Sequence, residues 1–189
     1  MSSSSNSPIV DAARLTAGQA QRRTLMLALA ISPLPGLHTW ASASTEALAG
    51  LRRWGSGEFR RFGFLVYEAT LWAGEDPQRP PLALRLDYRR AIEGKVIADA
   101  SVNEMRRFVS DPALLRRWGE QMQRIFPDVK PGEHLLGLHR GDEARFYQGE
   151  HLIGAIGEPG FAQAFFAIWL DARTSEPALR AALLRRKEA

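Results

Sequence analysis

The chain has 189 residues, 45% of them hydrophobic and 24% charged, which suits one globular domain with a tail. Its formal charge is +4, yet 25 Lys and Arg alternate with 21 Asp and Glu. No basic stripe therefore marks a phosphate-backbone binder, and nucleic acid is not an expected partner. The lack of cysteine excludes disulfides, thiolate nucleophiles, iron–sulfur clusters and cysteine-ligated zinc.

The first segment reads as an address. A Ser-rich leader reaches Arg22-Arg23, an apolar run follows from Leu25 to Ile31, Pro33 and Pro35 break it, and Ala41-Ser42-Ala43 supplies a small-x-small cleavage site. The apolar run is well short of the ~20 residues of a membrane-spanning helix. Residues 22–26 also resemble the twin-arginine export motif, with Gln21 in place of the usual small hydroxyl residue. The expectation is an export signal over 1–43, a domain over 44–189, a periplasmic or secreted location, and membrane contact only during export. Half of the net charge belongs to the leader, which carries Arg14, Arg22 and Arg23 against Asp11.

Beyond Leu48, short segments and turn signals alternate. Leu51 to Trp54 reads as a strand, with Gly55-Ser56-Gly57 as a hairpin turn. Phe59 to Phe62 and Phe64 to Trp72 read as one long strand bent or bulged at Gly63. Leu82 to Tyr88 alternates with period two, which puts Leu82, Leu84, Leu86 and Tyr88 on one face. Ile92, Val96, Ile97, Ala100 and Met105 follow a helical period that extends to Phe108. Asp111-Pro112 starts a second helix, an N-cap residue followed by proline at the first helical position. Its apolar face is Leu114, Leu115, Trp118, Met122 and Ile125, and Pro127 ends it. Strands follow at His134 to His139, Arg145 to Gln148 and His151 to Ile156, with turns at Gly141-Asp142 and at 148–150. Helices then carry Phe161, Phe165, Ile168 and Trp169, and Leu179, Leu183 and Leu184. This order is α+β, antiparallel hairpins with helices on one face.

Within the greasiest strand, alternate residues share a face, so Arg60 lies opposite Phe59 and Arg61. One of the two arginines must point where the apolar side chains point, and there it needs a carboxylate, a hydroxyl or a ligand. Glu68 and Asp87 are the internal partners within reach of such a strand. The alternatives are an anion-binding residue in a pocket, or a surface arginine.

The runs GSGEFRRFGFLVYEATLW (55–72), LRLDYRRAI (84–92), NEMRR (103–107), FPDVKPGEHLLGLHRGDEARFYQGEHLIGAI (126–156) and FAQAFFAIWLDARTSEPALRAALL (161–184) together resemble the bacterial chalcone isomerase-like family, whose exported members carry a signal peptide. The resemblance implies an open-faced sandwich, a large antiparallel sheet with a layer of helices on one face and a ligand cleft between them. In plant enzymes of that fold, an arginine on an early strand polarises the substrate during ring closure, helped by threonine, tyrosine and asparagine. A related branch has no isomerase activity and binds fatty acids, holding the carboxylate with the equivalent arginine and a tyrosine. Carried over, Arg60 matches the family arginine, Tyr67 the strand position of the catalytic threonine, and Asn103 the cleft asparagine. An apolar residue near Val96 stands where isomerases have their catalytic tyrosine. The anion hook survives without the ring-closure apparatus, which favours binding over catalysis.

Tyr88 and Met105 complete the expected ligand-binding set with Arg60, Tyr67 and Asn103. The expected partner is a small amphiphilic or aromatic ligand. His134 and His139 are an odd number of positions apart on one strand and face opposite ways. With no clustered carboxylates, no metal site is expected. No Ser–His–Asp arrangement is readable, and no glycine-rich loop leads from a strand into a helix, so no cofactor is expected. An intramolecular lyase or isomerase, and a closed-core interaction module, are the competing functions.

Overall fold

The structure, a computed structural model, describes residues 43–185. The leader expected over 1–43 lies, Ala43 apart, outside the described residues. The elements are α1 (Ala43–Ala47), β1 (Arg52–Arg61), β2 (Phe64–Ala73), β3 (Leu82–Tyr88), α2 (Gly94–Met105), α3 (Pro112–Ile125), β4 (His134–Arg140), β5 (Glu143–Gln148), β6 (His151–Ile156), α4 (Phe161–Leu170) and α5 (Pro177–Leu184). The strands form one six-stranded antiparallel meander in the order β1 to β6. This is the α+β architecture expected from the order of the sequence patterns.

Local signals explain much of it. The Asp111 carboxylate accepts from the backbone N–H groups of Ala113 (2.8 Å) and Leu114 (3.2 Å) and so starts α3. Leu115, Trp118 and Met122 on that helix are buried, and Leu114 and Ile125 pack half-buried against the same core. β3 occupies the residues that alternation predicts, and β6 those expected from the turn signals. α2 is shorter than its pattern: Ile92 precedes the helix and bridges to Val129, and the helix stops at Met105.

The glycines of 55–57 do not turn the chain. β1 runs straight through them, and the hairpin turn lies at Phe62-Gly63, where φ is 51° and 80°. A side chain at Gly55 would overlap the carbonyl oxygens of Ala182 and Leu183, and one at Gly57 would come within 2.8 Å of Leu179 Cδ1. These glycines let α5 lie close on β1, a use of glycine inside a strand. The bend expected at Gly63 is therefore a full reversal. Two bulges flank it: Trp54 is skipped between the Arg53 and Gly55 pairs, and Val66 is skipped on β2 opposite Phe59 and Arg60.

Helices α2 to α5 lie on one face, and α1 lies on the other. α5 sits over β1 and β2, α4 over β4 and β5, and α3 against β6, while α2 packs mainly on α3 and α4. The main core joins sheet and helices through residues such as Leu71, Leu84, Trp118, Met122 and Phe161. On the opposite face, Ala83, Leu136, Leu138 and Tyr147 are buried with Ala47, and Leu48, Leu51 and Trp72 pack around them.

Candidate functional site

Because α2 leans on α3 and α4, a cavity of about 850 Å³ opens between it and the strands. Its floor comes from alternate residues of the central strands, Leu84 and Leu86 on β3, Leu135 and Gly137 on β4, and Phe146 on β5. Phe165, Ile168 and Trp169 of α4, Ile97 of α2 and Ile92 just before that helix close the sides. Such a size and lining belong to small-molecule sites, typically ~300–1,000 Å³ and apolar with few polar groups.

Phe59, Tyr67 and Tyr88 form an aromatic wall from β1 to β3. Tyr67 pairs with Phe59 on one side and Tyr88 on the other. Its ring stacks on Phe59 at 4.9 Å and meets Tyr88 edge-on at 5.9 Å. Trp169 Nε1 donates to the Tyr67 hydroxyl at 3.1 Å, tying α4 to β2. Burial pushes the phenols of both Tyr67 and Tyr88 well above their ordinary value of 10. For Tyr67 the Trp169 hydrogen bond works against that rise, and the charges of Glu176 and Glu104 add to it. Both hydroxyls are thus neutral hydrogen-bonding groups at physiological pH, with no tendency to ionise.

Arg61 is the cation of this cavity. It shares the helix-side face of β1 with Phe59, as strand alternation requires. Among the described residues it forms no ion pair, and its guanidinium lies 5.3 Å from the ring centre of the adjacent Phe62. Arg60 points the other way. Its side chain is 54% exposed, pairs with Glu58 at 2.9 Å, donates to the Gly63 carbonyl at 3.4 Å, and lies outside the cavity lining. Neither of the internal partners considered for an inward arginine serves either residue. Glu68 pairs with Arg89 at 3.5 Å and Asp87 with Arg85 at 2.5 Å.

The expected binding set is therefore divided. Tyr67, Tyr88 and Asn103 line the cavity together. Arg60 does not, and Arg61 takes the position assigned to it. Alternation sets Arg61 on the face of Phe59, whereas the match to the family arginine had selected Arg60. Met105 is fully buried in the main core and lies outside the cavity lining. Val96, aligned with the missing tyrosine of the isomerases, does line the cavity and is half exposed at its mouth.

Three carboxylates also reach this cavity. Asp99 is held by Lys95 and Gln123. Glu104 accepts from Arg107 Nε at 3.1 Å and Ser175 Oγ at 2.8 Å. The Glu176 carboxylate, which sequence reading passed over, forms no ion pair or side-chain hydrogen bond among the described residues. Its only early signal was its place before Pro177, where it reads as part of a helix start.

None of the histidines among the described residues lines this cavity. His139 packs on Phe166 at 5.3 Å and is buried, which lowers its pKa, while His134 lies near Arg85 and Asp87 on the other face. Among the described residues no three His, Asp or Glu side chains converge as a metal site would require.

The comparisons with known proteins agree with this architecture. No family model matches the chain. A Haemophilus influenzae protein described as uncharacterized is 28% identical over 134 residues, which span 69% of this chain and 66% of that protein, slightly under two thirds of its length. A crystal structure of a fatty-acid binding protein from Arabidopsis thaliana superposes with a TM-score of 0.57, covering 72% of this chain and 87% of that one at 11% identity. The fold is that of the chalcone isomerase-like proteins, an α+β fold built on a six-stranded antiparallel open sheet.

Proposed function

We propose that this protein binds, without transforming it, a small amphiphile with an anionic head, of the fatty-acid kind. The observation that carries the reading is Arg61, a cation with no ion-pair partner among the described residues, at the mouth of an apolar cavity of about 850 Å³. An arginine offers a planar donor fork suited to a carboxylate. The cavity floor of leucine and phenylalanine suits an acyl or aromatic tail, and Tyr67, Tyr88 and Asn103 supply neutral polar contacts. The fold neighbour described as a fatty-acid binding protein supports the same class of ligand.

Proton-transfer chemistry has little support from this wall. General acids and bases work best with pKa values near the operating pH, and both phenols are displaced in the opposite direction. The Tyr67 hydroxyl is already engaged by Trp169, and Glu104 by Arg107 and Ser175. Glu176 sets the polarity of the site: its charge opposes an anion, so the head group belongs at Arg61. The leader from Arg22 to Ala43 supports an exported, periplasmic setting for this binding, as in the bacterial branch that the sequence resembles.

The test is displacement of a fluorescent fatty acid by unlabelled fatty acid and by its methyl ester. Arg61→Gln should weaken the acid by roughly tenfold or more, the scale of a charge-assisted hydrogen bond, and leave the ester unchanged. Arg60→Gln should alter neither, and Glu176→Gln should tighten the acid. Equal effects of the two arginine variants, or no binding by the parent protein, would reject the reading.

A further inference from the structure

The cavity mouth is continued by a surface that ligand binding does not account for. At the β1–β2 turn, Phe62 is 86% exposed and Phe64 59% exposed. Each carries a guanidinium over its ring: Arg61 lies 5.3 Å from the centre of Phe62, and Arg90 lies 4.4 Å from that of Phe64. Phe62 moreover holds a left-handed backbone, φ 51°, which glycine or asparagine adopts at lower cost. A bulky aromatic kept in strain, in water, at a turn that would accept asparagine is unexplained by folding.

Charge and chemistry select the partner. Arg61 and Arg90 form no ion pair among the described residues, whereas the acidic residues of the same hairpin, Glu58 and Glu68, are taken by Arg60 and Arg89. The exposed tip is thus cationic and aromatic. Val96, half exposed, extends its apolar surface across the mouth from α2. Phenylalanines that enter the acyl boundary beside arginines that meet phosphates are the components of a peripheral membrane contact. No helix among the described residues is long and apolar enough to cross a membrane.

We infer that the Phe62–Phe64 tip, with Arg61 and Arg90, docks on an anionic lipid surface and turns the cavity mouth toward it. The tip stands on its own residues; its use, loading or unloading an amphiphile at the bilayer, rests on the proposed binding function. Arg61 belongs to both, lying between headgroups and cavity.

The experiment is flotation of the full chain with vesicles of phosphatidylcholine, with and without phosphatidylglycerol, at low and high salt. The comparison is with Phe62→Asn/Phe64→Ser, which suits the left-handed turn and carries the same leader, and with Arg90→Gln. The parent protein should float with the anionic vesicles, less so at high salt. The double variant should lose at least about tenfold in partitioning and Arg90→Gln about fivefold. Binding of the fluorescent fatty acid in the absence of vesicles should be the same in all three, and circular dichroism should show that all are folded. Failure of the parent to float, equal flotation of the double variant, or indifference to phosphatidylglycerol would overturn the docking surface while leaving the cavity reading intact. Flotation without fatty-acid binding would reject the cavity reading alone. A concentration-dependent dimer lost in the double variant, with no flotation, would reassign the tip to self-association.

Discussion

Between α3 and α4, away from the cavity, the space fills with rings. Phe161, fully buried, meets Trp118 at 5.5 Å, and neither ring lines the cavity. Under α2, from β1 to β5, aromatic residues are also present, but α2 is supported by α3 and α4, and Phe59, Tyr67, Leu84 and Phe146 face an opening. Similar side chains thus make a solid core in one half and a cavity wall in the other. The composition of a face settles whether it is buried from water. The support of the covering helix settles whether it is also filled.

That contrast can be broken most severely from the solid side. Phe161 is fully buried, and Phe161→Ala should cost about 3–5 kcal/mol, read as a lowered denaturation midpoint in urea. A comparable loss from Val96→Ala at the cavity mouth would abolish the distinction. Next comes the close approach of α5 to β1. Gly55→Ala should cost about 1–3 kcal/mol, because the intruding methyl meets backbone oxygens of α5, which have no rotamer to escape through. A neutral result would mean that α5 lies further from the strand than described here.

Tyr67→Phe sharpens the comparison where the halves meet. It leaves the Trp169 N–H without its acceptor and should cost about 1 kcal/mol at neutral pH. The alkaline side provides a second reading. Both phenols have folded values raised above 10, so the folded state retains protons that the unfolded chain releases. Stability should therefore be whole below about pH 10 and fall as pH rises beyond it. Tyr67→Phe should flatten that fall, and an unchanged slope in chemical denaturation at high pH would contradict the burial of the phenol.

The smallest effects belong to the exposed tip. Phe62→Asn should stabilise the fold by about 0.5–1 kcal/mol by relieving the left-handed backbone, measurable as a raised melting temperature. Arg61→Gln should change stability by less than about 0.5 kcal/mol, as expected of an exposed, unpaired side chain, in contrast with its expected effect on ligand affinity. Substantial destabilisation would make Arg61 structural and remove the main support for the proposed function.

The sequence by itself determined what short-range physics controls. Asp111-Pro112 starts α3 because a carboxylate and a ring without an N–H suit a first helical turn wherever it lies. Period two drew β3 to its observed bounds, and the same periodicity set Phe59 and Arg61 on one face. Tyr67 and Asn103 were singled out through the family resemblance and Tyr88 as a strand hydroxyl beside Arg60, and all three line the cavity. The tertiary structure decided what depends on distant chain. Gly55-Ser56-Gly57 reads as a turn until α5, over a hundred residues later, is seen to need room against it. Of two adjacent arginines, only assembly of sheet and helices shows which side is hollow, and so which one has a cavity before it. Met105 and Val96 share a helical pattern, yet α3 and α4 bury the first and leave the second at the mouth. Propensity and pleat act over a few residues; the gap beneath α2 is made by elements far apart in the sequence, and no local pattern records it.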